Sequence, residues 1–377
     1  MKTNPVKIVI IGGGFGGFYL SKELEKDKNI QLFLINPIEY FVYTPLIHEI
    51  CVGNIPEEAV IIPFKNVLRR TNFIKNKAIR IEFSTKEIHL QNNKKMKFDI
   101  VVLAMGGKTS RFIRGSENLL TLKSLNDSIV IKKTIKKILK KDKKEIISII
   151  GEGATGTELI GELSYFFIKN KVKAKFNHFL YFSKYFREIP RFNSMISNKL
   201  KTYGVNIHYK EPVIAISNNQ IKTSKKMYKS DYIFLNTGIS PRIIDSDVEF
   251  KNGYPVDEFC SIEGLSDCFA IGDNAIFQYK NHYAPRLAQT ALKQAKYLAK
   301  YLRNKTKKPF KLKIMGVIVS VGRKFAVANF FNTYSFKGFL IWLLKRTIYF
   351  FSIFRITRDF KYLKYYMLSN FLRYKYF

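Results

Sequence analysis

Two glycine-rich turns in this sequence have the spacing that binds dinucleotide phosphates. The first turn places Gly12, Gly14 and Gly17 between a β-branched run and a helical pattern, in KIVIIGGGFGGFYLSKEL. The first glycine permits a tight turn, the second lets a pyrophosphate approach the backbone, and the third lets the helix pack on the strand. The helix N-terminus then offers free N–H groups and a positive dipole end to the phosphates. The pattern predicts a dinucleotide site, and one such turn alone is also compatible with a purely structural role.

The second turn repeats the first. Gly151, Gly153 and Gly156 again follow a β-branched strand and precede a helical pattern, in EIISIIGEGATGTELIGEL. Because both matches stand between a strand and a helix, a structural explanation for the pair is disfavoured. Two dinucleotide sites in one chain indicate a bound cofactor that receives electrons from a diffusible one.

The residues that follow the next strand of each fold bear on ribose recognition. Asn36 ends IQLFLIN, at a position where an acid normally holds the ribose hydroxyls; an amide can also accept one hydrogen bond and donate others. In the second fold, alignment to Pro190 places this position near Ser183, with Lys184 and Arg187 close by. An acid favours NAD, whereas a small polar residue beside a cation favours NADP. We take NADH as the first choice and keep NADPH as the alternative.

Two further strand–glycine junctions indicate which nucleotide is bound permanently. FDIVVLAMGG runs into Gly106, and LSDCFAIGDNA runs into Gly272 and Asp273. With these segments the chain resembles the flavoproteins that carry two dinucleotide-binding domains. The resemblance implies that the first fold, Gly106, Gly272 and Asp273 hold FAD, and that the second fold, together with Gly238, holds NADH. Asp273 is alternatively a helix N-cap, and the two roles are compatible.

Four segments identify the branch of these flavoproteins. They are YTPLIHEICVG, GEGATGTELIGEL, YAPRLAQTALKQAKYLAKYL and GFLIWLLKRTIYFFSIF. In this order they resemble the type II (single-subunit, non-proton-pumping) NADH:quinone oxidoreductases over nearly the whole chain. A disulfide relay is not expected, since Cys51 has no partner cysteine in the region after the first fold. Cys51, Cys260 and Cys268 also lack disulfide or zinc spacing, so no metal is predicted.

This resemblance implies hydride transfer from NADH to FAD and two-electron reduction of a membrane quinone, in respiration without proton pumping. It also implies a peripheral enzyme on the cytoplasmic face of the inner (cell) membrane, with a homodimer as an open alternative. Three rival functions remain: an NADPH-preferring reductase, a reductase with a soluble acceptor, and a flavoprotein that has lost turnover.

The resemblance also suggests catalytic residues. Glu158 would lie near the nicotinamide and flavin rings, and it could instead be an exposed acid in the first turn of its helix. Glu162, four residues later on the same face, is predicted to be structural or solvated. Gln289 would border the flavin and the quinone entrance. Lys293 replaces a second glutamine of the family motif, and it would either polarise the quinone or lie in solvent. His48 is predicted to be a packed side chain.

These residues require an α/β fold with two Rossmann-like dinucleotide-binding domains. We assign residues 1–112 and 250–312 to an FAD domain that is interrupted by an NAD(P)H domain at 113–249. Residues 313–377 would form strands followed by amphipathic membrane-anchor helices. A helix rich in lysine, NDSIVIKKTIKKILKKDKKEII, leads into the inserted domain with its lysines in solvent.

The composition sets limits on the partners. The chain has 377 residues and a formal charge of +36, with 46% apolar and 25% charged residues. These proportions are typical of a globular protein. Lysine is spread along nearly the whole chain without a recognition motif, so nucleic-acid binding is not predicted. The positive charge favours contact with anionic lipid headgroups.

The C-terminal part carries an apolar and aromatic run, FKGFLIWLLKRTIYFFSIFRITRDFKYLKYY. Lys345 and Arg346 interrupt it, so it lacks the roughly 18 uncharged apolar residues of a spanning helix. We predict that 336–377 lies on the bilayer surface, with Phe339, Trp342, Leu343, Phe350 and Phe354 towards the lipid. Lys345, Arg346 and Arg355 would reach the headgroups. The alternative is a helix packed into a core or a dimer.

Overall fold

The structure is a computed structural model that describes residues 5–141, 143–279, 282–331, 333–362 and 364–365. The chain forms two compact units. The first comprises the segment up to Val42, Ile61–Lys108 and Ile239–Ile314; the second comprises Tyr43–Val60, Thr109–Gly238 and the segment from Met315 onward. Residues 43–60, which the sequence groups with the first domain, therefore fold with the second unit.

The helices occur throughout the chain. They are α1 (Phe15–Leu24), α2 (Ile47–Cys51), α3 (Leu125–Leu139), α4 (Ala154–Lys169), α5 (Pro190–Thr202), α6 (Ala288–Leu302) and α7 (Phe339–Thr357).

The strands are short, as expected for α/β units. In the first half of the chain they are β1 (Val6–Ile11), β2 (Ile30–Asn36), β3 (Tyr40–Val42), β4 (Ile61–Pro63), β5 (Asn72–Lys75), β6 (Ala78–Glu82), β7 (Glu87–Leu90), β8 (Lys95–Lys97), β9 (Ile100–Leu103), β10 (Gly107–Thr109), β11 (Leu120–Thr121), β12 (Glu145–Ile150) and β13 (Ala174–Phe179). In the second half they are β14 (Val205–His208), β15 (Val213–Ser217), β16 (Gln220–Thr223), β17 (Met227–Lys229), β18 (Tyr232–Leu235), β19 (Ile239–Pro241), β20 (Asp245–Ser246), β21 (Tyr254–Val256), β22 (Cys268–Ala270), β23 (Ala275–Tyr279), β24 (His282–Tyr283), β25 (Gly316–Ser320), β26 (Ala326–Phe330) and β27 (Tyr334–Gly338).

The first unit is built on a five-stranded parallel sheet in the order β22-β9-β1-β2-β5. Val9 and Ile10, in the middle of β1, are fully buried, as expected for a parallel strand covered on both faces. Helices α1 and α6 pack against each other beside this sheet. A four-stranded sheet, β20-β6-β7-β8, and smaller strand groups complete the unit.

The second unit repeats the architecture with the parallel order β11-β18-β12-β13-β14. The α/β class and the sheets of dinucleotide-binding type predicted from the sequence are thus confirmed. The helix that precedes β12 shows how local sequence sets an element. Ser124 and Asp127 form a reciprocal capping box at the start of α3, and the lysines alternate with the buried Ile131 and Ile135.

The C-terminal part of the second unit is an antiparallel sheet in the order β25-β26-β27, followed by α7. Helix α7 packs on this sheet, and β25 contacts α4. The contact with α4 is close: a Cβ on Gly161 would lie 2.6 Å from the backbone nitrogen of Gly322. The part of the predicted tail at 366–377 lies outside the described residues.

Candidate nucleotide-binding sites

The turn between β1 and α1 has the shape of a phosphate cradle. A Cβ on Gly17 would lie 1.9 Å from the carbonyl oxygen of Gly12, so only glycine allows this helix to approach the strand so closely. Gly14 caps the helix, and a Cβ there would have no atom within 4 Å. The turn therefore leaves open space directly in front of the free N–H groups of α1.

Asn36 stabilises this turn from the end of β2. Its Oδ1 accepts a hydrogen bond from the N–H of Gly13 at 2.8 Å, and its Nδ2 donates to the carbonyl of Ile38 at 2.7 Å. The amide thus fixes the cradle, which the sequence did not predict.

A second group of polar atoms in the first unit surrounds the other predicted FAD residues. The N–H of Gly106 donates to Oδ1 of Asn274, and the N–H of Gly272 donates to Oε1 of Gln294 at 2.8 Å. Asp273, half-exposed, lies within the short helical turn Gly272–Asn274, whose N-cap is Ile271. The N-cap alternative for Asp273 is therefore wrong.

These residues fit a bound FAD. The Nε2 of Gln294 is buried without a hydrogen-bond partner among the described residues, which leaves an available donor. Gly106, like Gly14, has nothing within 4 Å of a Cβ position. Sequence inspection missed Asn274, although it directly follows the glycine–aspartate pair.

Gln289 and Lys293 lie on α6 and are both half-buried. The ammonium of Lys293 donates to the carbonyl oxygen of Lys313, and burial lowers its pKa. Lys293 is thus partly buried and already makes a hydrogen bond, so the prediction that it lies in solvent does not describe it fully. Gln294, buried one residue later, holds Gly272 as described above.

The turn between β12 and α4 reproduces the first cradle in the second unit. A Cβ on Gly156 would lie 2.1 Å from the carbonyl oxygen of Gly151, whereas a Cβ on Gly153 would meet nothing within 4 Å. Asn236 borders this turn: its Oδ1 accepts from the N–H of Leu122 at 3.3 Å, and its buried Nδ2 has no partner among the described residues. The second cradle therefore also combines open space with an available donor.

The other residues predicted for this nucleotide belong to the same unit. The carbonyl of Gly238 accepts from the N–H of Ser110 at 3.0 Å, and a Cβ on Gly238 would meet nothing within 4 Å. Ser183 is exposed and lies in the irregular connection that follows β13.

Glu158 is buried on α4 in an ion pair. Its carboxylate accepts from the ammonium of Lys345, which also donates to Oγ of Ser320 at 2.8 Å. The backbone N–H of Ser320 lies 3.3 Å from the same carboxylate. The alternative that Glu158 is an exposed acid in the first turn of its helix is therefore wrong. The cation that pairs with Glu158 comes from α7.

A second buried pair joins α7 to α2. The guanidinium of Arg346 donates to the carboxylate of Glu49 at 2.6 Å. Burial alone would raise the pKa of Glu49, but Arg346 holds it below its usual value. Lys345 and Arg346 are only 2% and 6% exposed, so the prediction that they reach lipid headgroups is wrong. Trp342, predicted to face lipid, is buried as well.

Two more ionisable groups complete this cluster. His48 is packed, as predicted, with Nδ1 3.6 Å from the carboxylate of Glu158; burial lowers its pKa. Glu162 is buried and accepts from Nδ2 of Asn54 at 2.9 Å, so the solvated alternative for it is wrong. Burial, followed by the nearby Glu49, raises the pKa of Glu162 to about 8.

The outer face of α7 is apolar. Leu340 is 75% exposed and Phe351 is 54% exposed. Phe339, Leu343, Leu344 and Ile348 are also exposed. Within the described ranges, none of the helices combines the length and apolar character needed to cross a bilayer.

The chain is similar to several known oxidoreductases. Residues 6–295 match the family described as pyridine nucleotide-disulphide oxidoreductase. A probable NADH dehydrogenase from Dictyostelium discoideum is 28% identical over 398 residues, covering 89% of this chain and 84% of the relative. A type II NADH:quinone oxidoreductase from Staphylococcus saprophyticus is 25% identical over 345 residues, covering 81% and 83% of the two chains.

A solved structure has the same fold. The structure of NDH2 from Plasmodium falciparum in complex with NADH matches with a TM-score of 0.84 and 18% identity, covering 97% of each chain. At this level of identity, the match supports the fold alone.

Proposed function

The chain belongs to the pyridine nucleotide-disulphide oxidoreductase family, and we propose that within this family it is an FAD-dependent NADH:quinone oxidoreductase. The observation that carries the proposal is the repeated cradle, with open space at Gly14 and again at Gly153. One cradle would hold a bound flavin and the other a diffusible nicotinamide nucleotide. The named activities of the two relatives support NADH as the donor and a quinone as the acceptor.

The first unit is the proposed FAD domain. The cofactor-binding residues would be Gly12, Gly14, Gly17, Asn36, Gly106, Gly272 and Asp273. FAD, when bound, supplies the two-electron chemistry that accepts a hydride and passes electrons to an acceptor. The protein would contribute the N-terminus of α1 for the pyrophosphate and the Nε2 of Gln294, which has no hydrogen-bond partner among the described residues, as a donor.

The second unit is the proposed NADH domain. Its cradle would hold the NADH pyrophosphate through Gly151, Gly153 and Gly156, with Gly238 and Ser183 also assigned to the nucleotide. Glu158 lies one turn into α4, the helix whose N-terminus would face the phosphates. In this proposal Glu158 orients the nicotinamide carboxamide, while Lys345 and Ser320 fix the direction of its carboxylate. NADPH remains the alternative donor.

We propose Gln289 as the first choice for a residue that contacts the quinone, and Lys293 as the second. The ammonium of Lys293 already donates to the Lys313 carbonyl, so contact with a quinone requires that hydrogen bond to be exchanged. Gln289 carries both a donor and an acceptor and is half-buried.

Stopped-flow spectroscopy of the purified protein tests this function. NADH should bleach the flavin absorbance, and a short-chain quinone should restore it within the same turnover. Flavin that NADH reduces but quinone does not reoxidise would refute the quinone step. A yellow protein that neither NADH nor NADPH bleaches would instead indicate a flavoprotein without turnover.

We further propose that α7 binds the bilayer surface through its exposed apolar face. The face is apolar where a soluble helix is normally polar, and the formal charge of +36 favours anionic lipid.

Replacing Leu340 and Phe351 together by Asp should reduce partitioning into phosphatidylglycerol vesicles about tenfold or more, because two large apolar side chains lose their burial in lipid. Ile168→Asp, at an exposed apolar residue of α4, is the matched control. Equal losses in both variants would contradict a specific role for α7. The cytoplasmic face and a homodimer stay predictions.

A further inference from the structure

The two parallel sheets share a register that allows position-by-position comparison of the cradles. The N–H of Gly12 donates to the carbonyl of Ile35 at 2.9 Å, and the N–H of Gly151 donates to the carbonyl of Phe179 at 3.0 Å. Each first glycine thus meets the second strand of its fold at the same level. The residue after Phe179 is therefore the structural counterpart of the residue after Ile35.

The two folds carry different residues at the position where a ribose would bind. The first fold has Asn36 there, and the second has Leu180, which is fully buried. An apolar side chain cannot accept a hydrogen bond from a ribose hydroxyl. Ser183 lies three residues further along the chain and is exposed. In the second fold, a ribose-binding carboxylate at this strand end must therefore come from another segment.

Glu152, the residue after the first glycine of the second turn, brings a carboxylate to this strand end. Its Oε2 accepts a hydrogen bond from the backbone N–H of Tyr181 at 3.2 Å. In the first fold the direction is reversed, because the turn residue Gly13 donates to the strand-end side chain of Asn36. Glu152 is half-exposed, and the described residues make no other hydrogen bond to its carboxylate. It retains acceptor capacity for a ligand.

Buried contacts link the two backbone segments on either side of this carboxylate. The imidazole of His178 lies 2.9 Å from the carbonyl oxygen of Gly151, and the hydroxyl of Tyr185 lies 2.7 Å from its other nitrogen. Both side chains are fully buried. This chain of contacts ties the connection after β13 to the glycine turn, so Tyr181 and Glu152 keep their relative positions.

The cations of the same connection are less well placed to bind a phosphate. Lys184 is exposed, and the exposed Arg187 stacks its guanidinium 4.4 Å from the ring centroid of Phe182. Their attraction for a 2′-phosphate is therefore weakened by solvent. A carboxylate that faces the ribose accepts bonds from its hydroxyls and repels a phosphate in the same place.

From this geometry we propose that Glu152 is the residue that binds the adenosine ribose in the second fold and selects NADH against NADPH. The inference rests on the proposed use of a nicotinamide nucleotide and names the residue that decides between the two donors. It differs from the sequence-based prediction of Ser183, which rested on an alignment to Pro190 across an irregular connection.

Calorimetric binding of ADP-ribose and 2′-phospho-ADP-ribose to the flavin-containing protein tests the proposal. The native protein should bind ADP-ribose more tightly. Glu152→Gln should shift the affinity ratio towards the phosphorylated fragment by about tenfold, because it removes a negative charge beside the phosphate. Glu152→Asp keeps the charge and should preserve the preference. Glu188→Gln removes an exposed carboxylate of the same connection and should leave the ratio unchanged.

Four outcomes would overturn the proposal. They are a native preference for the phosphorylated fragment, no binding of either fragment, an unchanged ratio in Glu152→Gln, and an equal shift in Glu188→Gln. Circular dichroism of each variant confirms that the fold is retained. If Glu152→Gln is unfolded, Glu152→Ala, which also removes the carboxylate, provides the reading: an unchanged affinity ratio in Glu152→Ala would also refute the role. Neither fragment transfers a hydride. Selective binding without quinone reduction would therefore refute the enzymatic function and leave the role of Glu152 intact.

Discussion

Replacing Lys345 by Met should destabilise α7 far more than the loss of a surface charge. The Lys345 ammonium is buried between the Glu158 carboxylate and the Ser320 hydroxyl. Methionine fills a similar volume but leaves Glu158 in the interior without its cation; the Ser320 N–H at 3.3 Å and His48 at 3.6 Å remain. In the native protein burial lowers the pKa of His48, so Lys345 and not the imidazole supplies the cation beside Glu158.

The magnitude follows from the burial of the pair. Removing one partner of a buried ion pair typically costs about 3–5 kcal/mol, because the other charge is left uncompensated. An exposed pair is worth about 0–1 kcal/mol. Hydrogen exchange of α7 amides, followed by mass spectrometry, measures the free energy of local opening. A loss of about 3 kcal/mol corresponds to exchange that is roughly a hundredfold faster.

Two variants distinguish this explanation from a general weakening of the helix. Arg355→Met changes an exposed cation of the same helix and should alter exchange by less than about fivefold, as expected for a surface charge. The double variant Lys345→Met with Glu158→Gln removes both charges and should recover most of the loss. If Lys345→Met resembles Arg355→Met, or the double variant is as unstable as Lys345→Met alone, the ion pair does not stabilise α7.

Three further predictions concern titration and the cradles. Burial lowers the pKa of His178 to about 4, so the neutral imidazole stabilises the fold fully above pH 6.5, and this stabilisation is lost as the pH falls towards 4. In denaturant titrations, the free energy of unfolding of the native protein should therefore fall by about 2–3 kcal/mol more than that of His178→Gln between pH 7 and pH 4.5. Burial raises the pKa of Glu162 to about 8, so the free energy of unfolding falls as the pH rises from 4.5 to 8. Glu162→Gln should be as stable as the native protein near pH 4 and more stable by up to about 3 kcal/mol at pH 7. Equal stability of the two proteins at both pH values would contradict the shift. Gly17→Ala should lower thermal stability because its Cβ meets a backbone oxygen, whereas Gly14→Ala should fold normally and retain less flavin; full flavin content in Gly14→Ala would exclude its role in the cradle.

The cradles could be predicted from the sequence because everything that forms them is local. A β-branched strand, three glycines and a helix lie within some twenty consecutive residues, and the packing of Gly17 on Gly12 follows from their spacing. The same holds for the second turn. The α/β class followed from the repetition of this unit.

Residues whose partners lie far along the chain were not predictable in the same way. Asn274 binds Gly106 across 168 positions, and Arg346 binds Glu49 across 297. No spacing rule connects such pairs. The ribose position of the second fold also depends on a non-local feature, the register of β12 on β13, which an alignment through an irregular connection does not give. The prediction of Ser183 therefore stays a prediction, beside the proposal of Glu152.

The same pairs explain why the pattern of α7 is misleading by itself. In a soluble helix the charged residues face water and the apolar residues face the core. In α7 both faces depart from this rule: Lys345 and Arg346 are buried beside Trp342, while Leu340 and Phe351 are exposed. Burying two cations is tolerable because α2 and α4 each provide a carboxylate. The exposed apolar face is the kind of surface that marks an interaction site, which is why we propose contact with lipid there. Deleting the tail would therefore remove the proposed lipid contact and also leave Glu49 and Glu158 without their cations in the second unit. Substitutions confined to the outer face, such as Leu340→Asp, separate these two effects: they should weaken vesicle binding while hydrogen exchange of α7 stays close to that of the native protein.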